Sequence, residues 1–246
     1  MSVQAIENKR WLVNPYNHSR WETRRRILRF LVRYIGIPLL VKIDHIEGLE
    51  NIPAKGAGIL MINHVAFVDS IFVLHEMPRN IIPMAKIEVY DYPVIGIFPR
   101  IWGVIPVRRE EVDRQALRGA FDVLRAGEII LMAPEGTRTP GSGLQEGKEG
   151  ITYIATRSGA PILPAAVINT AGFPALRGTS RWRGPGAVLR FGKPFHFKPE
   201  LEHPNRELLR KMTDEAMYVL SAMLPEHLRG VYADLSKATQ DTIEWL

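Results

Sequence analysis

Two rhythms of hydrophobic and polar positions run along this chain. From about Trp21 the spacing is helical: Trp21, Leu28, Leu31 and Ile35 share one face, and Arg26, Arg29 and Arg33 another. Gly36 and Pro38 are expected to kink or end that helix, and Asn14, Pro15 and Asn17 mark the residues before it as a loose arm. After Glu47 short apolar runs alternate with helical periods. The runs 58–63, 81–85, 104–107, 128–133 and 162–168 read as strands, and 188–195 as an added edge strand. The segments 69–76, 113–125, 150–158 and 207–224 read as helices; Gly127 closes one, and Leu208, Met212, Ala216, Val219 and Met223 stay in register along the last. Strands alternating with helices predict an α/β fold: a single three-layer domain with a largely parallel or mixed central sheet flanked by helices, plus an N-terminal amphipathic helical appendage. The simplest partition is a basic amphipathic segment over 1–41 and one domain over 42–246.

Charge sharpens the picture of that appendage. Eight basic residues lie between Lys9 and Arg33 against the single acid Glu22, a local +7 that leaves the rest of the chain at −1 of the total +6. A basic head on a near-neutral body suggests local attraction to a polyanion. With apolar residues on its other side, such a helix can lie in the plane of an anionic membrane surface. Interleaved aromatics and a recognisable nucleic-acid module are missing, so no nucleic acid partner is expected. No stretch of 18 apolar residues and no signal peptide is visible, which predicts no transmembrane helix. The chain has no cysteine, which excludes thiolate chemistry and zinc sites built on Cys.

Familiar catalytic patterns are also missing. There is no G-x-S-x-G elbow; His75-Glu76 lacks the second His of a zinc protease; and Lys148 is followed by Glu149 instead of the Ser or Thr of a phosphate loop. Two segments carry chemistry. In Asn63-His64-Val-Ala-Phe-Val-Asp69, positions five apart lie about 140° apart on a helix, so His and Asp meet only if His64 ends a strand and Asp69 enters the next helix. There Asp69 could accept from Nδ1–H of His64 and leave Nε2 as a proton acceptor; the bland alternative is a helix cap beside a polar niche. In Ala133-Pro134-Glu135-Gly136-Thr137-Arg138, Gly136 permits close backbone approach, and Thr137 and Arg138 are donors suited to an oxyanion or phosphate. Alone, that segment is equally a Pro-Gly turn with a surface arginine.

Together, the N-H-x4-D signature at Asn63–Asp69 and the E-G-T-R signature at Glu135–Arg138 resemble the glycerophospholipid acyltransferase family, which includes the 1-acylglycerol-3-phosphate acyltransferases. Further matches in order are Ala85-Lys86, Gly103-Val-Ile-Pro-Val-Arg108-Arg109 and Pro161-Ile-Leu-Pro164. The resemblance covers roughly residues 45–195. It implies direct transfer of a fatty acyl group from acyl-ACP or acyl-CoA, as donor substrate, to the sn-2 hydroxyl of 1-acylglycerol-3-phosphate, giving phosphatidate. His64 would be the general base, oriented by Asp69; Arg138, Arg109 and possibly Lys86 would bind the acceptor phosphate; Glu135 would anchor its loop. No cofactor and no metal are implied. The chain departs from many relatives in carrying Arg108 where an Asp is common, and in Pro106 and Ala133, which puts the acceptor head group in question. Another lyso-lipid, such as a lyso-ornithine lipid, another lysophospholipid, or glycerol-3-phosphate is the alternative acceptor, and a non-catalytic lipid-binding protein the alternative class. A lysophospholipid acceptor presents itself from the bilayer, so the implied location is the cytoplasmic face of the cell membrane, peripheral or monotopic.

Overall fold

The computed structural model describes residues 18–93, 95–108, 113–139, 141–201 and 203–246, with side chains from Trp21 onward. Its centre is a mixed, mostly parallel sheet. Strands β1 (Ile43–Glu47), β2 (Gly58–Ile62), β3 (Ile81–Lys86), β4 (Ile105–Val107), β5 (Ile129–Met132), β6 (Ile162–Ile168) and β7 (Ala187–Phe191) lie in the order β1-β7-β6-β2-β5-β3-β4; β8 (Phe195–Phe197) pairs with β6 and β9 (Ile243–Trp245). The central five, β6-β2-β5-β3-β4, are all parallel, while β7 runs antiparallel to β6. In register, Met61 of β2 faces Met132 of β5 on one side and Pro164 of β6 on the other.

Successive side chains of a strand point to opposite faces, and β2 divides its apolar run accordingly. Ile59 and Met61 join one core with Ala116, Ala120 and Val123 of helix Arg114–Arg125, Ile151 and Ile154 of helix Gly150–Ser158, and Met212, Ala216 and Leu220 of helix Arg206–Ala222. Leu60 and Ile62 join the other, with Phe72 and Val73 of helix Val68–Glu76, Trp102 of helix Ile97–Trp102, and Ile37 and Val41 beyond the N-terminal helix. In chain order these helices are α1 (His18–Leu31), α2 (Val68–Glu76), α3 (Ile97–Trp102), α4 (Arg114–Arg125), α5 (Gly150–Ser158) and α6 (Arg206–Ala222). Full burial of β2 on both sides is why its sequence shows no alternation. This is the three-layer α/β architecture read from the pattern.

Three details differ from that reading. The run 188–195 is two strands, broken at Gly192-Lys193-Pro194, and β7 is not an edge because β1 covers it. Of the two outcomes expected at Gly36 and Pro38, a kink or an end, the helix does not end: α1 passes through a π turn, Val32–Gly36, closed by the bond from Ile37 N–H to the Val32 carbonyl, and continues over Ile37–Leu40. Pro38 has no N–H to donate, and the wider turn absorbs that loss. Finally, α1 is turned otherwise than expected. Trp21 and Arg25 are buried and Leu28 and Arg29 half-buried, whereas Ile27, Phe30, Leu31, Tyr34, Ile35 and Leu39 are exposed.

The contacts on the inward face explain that orientation. Arg25 Nε donates to the Trp102 carbonyl at 2.8 Å, with the guanidinium over the Trp102 ring, and so satisfies an end carbonyl of α3. Arg29 donates to the Arg79 carbonyl and to Asn80 Oδ1. Gly103 ends α3 in the left-handed region, at φ +78°, and a Cβ there would lie 2.8 Å from the Trp21 ring. Among the described residues no helix is long and apolar enough to cross a membrane.

Candidate active site

The parallel strands bring their carboxyl ends to one edge of the sheet, where open α/β folds place ligands. His64 follows β2 there, steadied by its neighbour. Buried Asn63 acts as an extra rung of the sheet: its Nδ2 donates to the Val167 carbonyl at 2.8 Å and its Oδ1 accepts from Val167 N–H at 2.7 Å. The chain then turns, and Asp69 enters the first turn of α2, where the positive end of the helix favours a carboxylate. His64 Nδ1 and Asp69 Oδ2 are 3.0 Å apart. The same oxygen accepts from the amides of Val65 at 2.6 Å and Ala66 at 2.7 Å, so it shapes the turn that presents the ring. The Asp69 side chain is wholly buried while the His64 side chain keeps 18 % of its surface open. A carboxylate only accepts, so this contact puts the imidazole proton on Nδ1 and leaves Nε2 free to take one.

The second motif follows the neighbouring parallel strand, β5. Glu135, buried just past β5, accepts at Oε1 from His64 N–H (3.0 Å) and at Oε2 from Thr139 Oγ1 (2.9 Å) and Gln145 N–H (3.1 Å). Thr139 N–H donates in turn to the His64 carbonyl at 2.8 Å. Both backbone groups of His64 are thereby held by the Glu135 loop, while its ring is held by Asp69. Burial pushes the Glu135 carboxyl above the ordinary carboxylate range, against the opposing pull of the Gln145 and His64 amides and the Thr139 hydroxyl.

Gly136 takes φ +66°, and a Cβ there would meet the end of the Lys148 side chain at 3.1 Å, so this exposed lysine lies over the glycine. Thr137 and Arg138 are exposed beside it. Lys86 ends β3 in register with Val107 of β4, next to Arg108, and pairs with Glu88 at 3.1 Å. Arg109 lies outside the described residues. The structure thus brings His64, Asp69 and Glu135 into direct contact, sets Gly136, Thr137 and Arg138 on the same loop, and puts Lys86 on a neighbouring strand end. Asn63, Thr139, Gln145 and Lys148 are the functional candidates that residue chemistry did not single out. Asn63 sits inside the first motif and Thr139 acts partly through its hydroxyl, but Gln145 acts through its backbone amide and Lys148 through loop packing, which leave no mark in sequence. Among the described residues no group of three or more His, Asp or Glu could hold a metal ion.

An imidazole held by a buried carboxylate stands at the strand ends of an open α/β sheet, a geometry able to take up a proton, with exposed Arg138 and Lys148 beside it. Residues 45–168, half of the chain, match the acyltransferase family model and contain all five matched segments from Asn63 to Pro164; the chain belongs to the acyltransferase family. It is 33 % identical over 151 residues to a 1-acyl-sn-glycerol-3-phosphate acyltransferase of Borreliella burgdorferi, covering 61 % of this chain and 58 % of that one. To the enzyme of the same name from Bacillus subtilis it is 30 % identical over 166 residues, 67 % of this chain and 80 % of the relative. It spans less than half, 44 %, of a chloroplastic 1-acyl-sn-glycerol-3-phosphate acyltransferase of Arabidopsis thaliana, at 29 % identity over 65 % of this chain. Its fold is similar to the crystal structure of the 1-acyl-sn-glycerophosphate acyltransferase of Thermotoga maritima, with a TM-score of 0.58, 25 % identity, and coverage of 79 % of this chain and 78 % of that one.

Proposed function

We propose that this protein transfers a fatty acyl group from acyl-ACP or acyl-CoA to the sn-2 hydroxyl of 1-acylglycerol-3-phosphate, giving phosphatidate. The observation that carries the reading is the 3.0 Å contact between His64 Nδ1 and buried Asp69 Oδ2 at the open edge of the sheet. His64 Nε2 takes the proton of the acceptor hydroxyl as its oxygen attacks the thioester carbonyl. The oxygen–acyl bond forms, the carbon–sulfur bond breaks, and the thiolate leaves without an acyl-enzyme. Arg138, Arg109 and Lys86 are the cations assigned to the acceptor phosphate, with Gly136 and Thr137 completing the loop that meets it. Glu135 orders His64 and takes no part in proton transfer. The four relatives named above share this reaction in their names, which supports the choice of acceptor.

Access to a lysolipid requires the site to face a bilayer. Residues 1–41 are assigned to that role, and the rest, 42–246, to the acyltransferase domain. The support lies in α1 and the turn after it, whose exposed surface combines Ile27, Phe30, Leu31, Tyr34, Ile35 and Leu39 with Arg24, Arg26 and Arg33. The deciding experiment is a panel of lyso-acceptors with one acyl donor on anionic vesicles. Turnover of lysophosphatidate should exceed that of zwitterionic or lyso-ornithine acceptors. His64→Ala should lower kcat about 10²–10⁴-fold, and undiminished transfer by that variant would refute the assignment of the base.

A further inference from the structure

The chain beyond Ile168 lies outside the segment that matches the family, yet part of it returns to the candidate site. Residues 143–148, before α5, have no regular structure to satisfy their peptide groups, so these need partners elsewhere. Leu144 N–H donates to the Leu228 carbonyl, and the Leu144 carbonyl accepts from Val231 N–H, each at 3.0 Å. The peptide unit that accepts from Val231 presents its own N–H, that of Gln145, to Glu135 Oε2, and Glu135 Oε1 accepts from His64 N–H. An unbroken run of hydrogen bonds therefore leads from Val231 through one peptide unit and one carboxylate to His64.

Gly147, two residues on, is held at both ends. Its N–H donates to the Tyr232 hydroxyl at 3.1 Å, which itself donates to Asp214 at 2.9 Å; its carbonyl accepts from Arg210 at 2.6 Å. The fit is tight between backbones. A Cβ on Gly230 would fall 2.0 Å from the Leu144 carbonyl oxygen, and one on Gly143 would fall 2.6 Å from Gly230 N. Neither obstacle is a side chain that could swing aside.

We propose that Leu228–Tyr232 is a positioning strap for acyl transfer, holding Glu135, and through it His64, in the geometry the reaction needs. Gly230 and Tyr232 are positioning residues acting through the Leu144–Gly147 segment. The inference rests on the acyl-transfer reading, so its test needs one readout independent of turnover. In the full chain, Tyr232→Phe and Gly230→Ala are compared with Thr242→Val. Thr242 lies in the same tail, and its hydroxyl bonds Glu215, away from this relay.

Assayed on lysolipid-bearing vesicles well below the unfolding temperature, Tyr232→Phe should lose about 10-fold and Gly230→Ala about 100-fold in kcat, with KM nearly unchanged, as a small misplacement of a catalytic group does. Thr242→Val should keep its kcat even where its Tm falls as far. Hydrogen exchange at the His64 and Gln145 amides should quicken in the first two variants and not in the third. Equal kcat losses in all three, or unaltered exchange in Gly230→Ala and Tyr232→Phe, would overturn the proposal while leaving an active wild type untouched. A wild type that transfers no acyl group would instead sink the functional reading, and the strap's catalytic role with it.

Discussion

His64 is held by groups from two parts of the chain: Asp69 at the start of α2 fixes its ring, and Glu135 and Thr139 past β5 fix its backbone. The division of labour makes Asp69 the more informative residue to change. In Asp69→Asn the amide oxygen can take the place of Oδ2, keeping the Val65 and Ala66 bonds and the contact with Nδ1, but it brings no negative charge to stabilise the imidazolium formed on proton uptake. Proton acceptance is then weakened while the turn largely survives. The expected result is a fall in kcat of about 100-fold or more with little change in Tm, read by steady-state kinetics and thermal unfolding of one preparation. Comparable losses of Tm and kcat would assign Asp69 to the turn alone. The burial of Glu135 belongs at this scale too: the three donors it accepts from are all used in holding loop and strand end together, while Arg138 and Lys148 nearby are exposed.

Between elements, the decisive contacts are those that dock α1 on α3 and the C-terminal tail on α6. Gly103 opens the motif Gly103–Arg109, and packing accounts for it, since only a residue without Cβ fits the left-handed turn under the Trp21 ring. Gly103→Ala should cost about 1–3 kcal/mol, measured by chemical denaturation, and should speed proteolysis within α1. At the other end, burial, reinforced by the Asp214 carboxylate, pushes the Tyr232 phenol up to about 12. The unfolded chain ionises this tyrosine near 10, so its contribution is complete below that pH and is lost as pH rises from 10 towards 12. Wild type should therefore lose more stability over that interval than Tyr232→Phe, as followed by urea unfolding at paired pH values. Equal losses would place the phenol outside the linkage.

At the scale of the whole molecule, the proposed bilayer contact rests on the basic, apolar α1 surface set against a near-neutral body. Phe30, Tyr34 and Ile35 are exposed, so replacing all three by Ser should leave the fold intact. Such a variant should bind phosphatidylglycerol-containing vesicles at least about 10-fold more weakly than wild type, since burying one large apolar side chain alone is worth about 1.5–3 kcal/mol. Raised salt should weaken both proteins by screening the arginines. Co-sedimentation gives both numbers, and unaltered binding by the triple variant would remove α1 from the membrane assignment.

The order of strands and helices, and the pairing of His64 with Asp69, were legible because they are written locally. Periods of two and 3.6 need only a window of residues, and a His and an Asp five apart can meet where a strand ends and a helix begins between them. The strands β1, β8 and β9 and the short helix α3 escaped such reading, being too short or too polar to carry a period. Which face of α1 turns inward, why Gly103 is glycine, and how Glu135 reaches the His64 amide were decided only by tertiary contact. The links from Leu228 and Val231 through Leu144 to Glu135 run between peptide groups that nearly every residue possesses. Side-chain identity cannot encode them, and only the folded chain brings those amides and carbonyls within reach of one another.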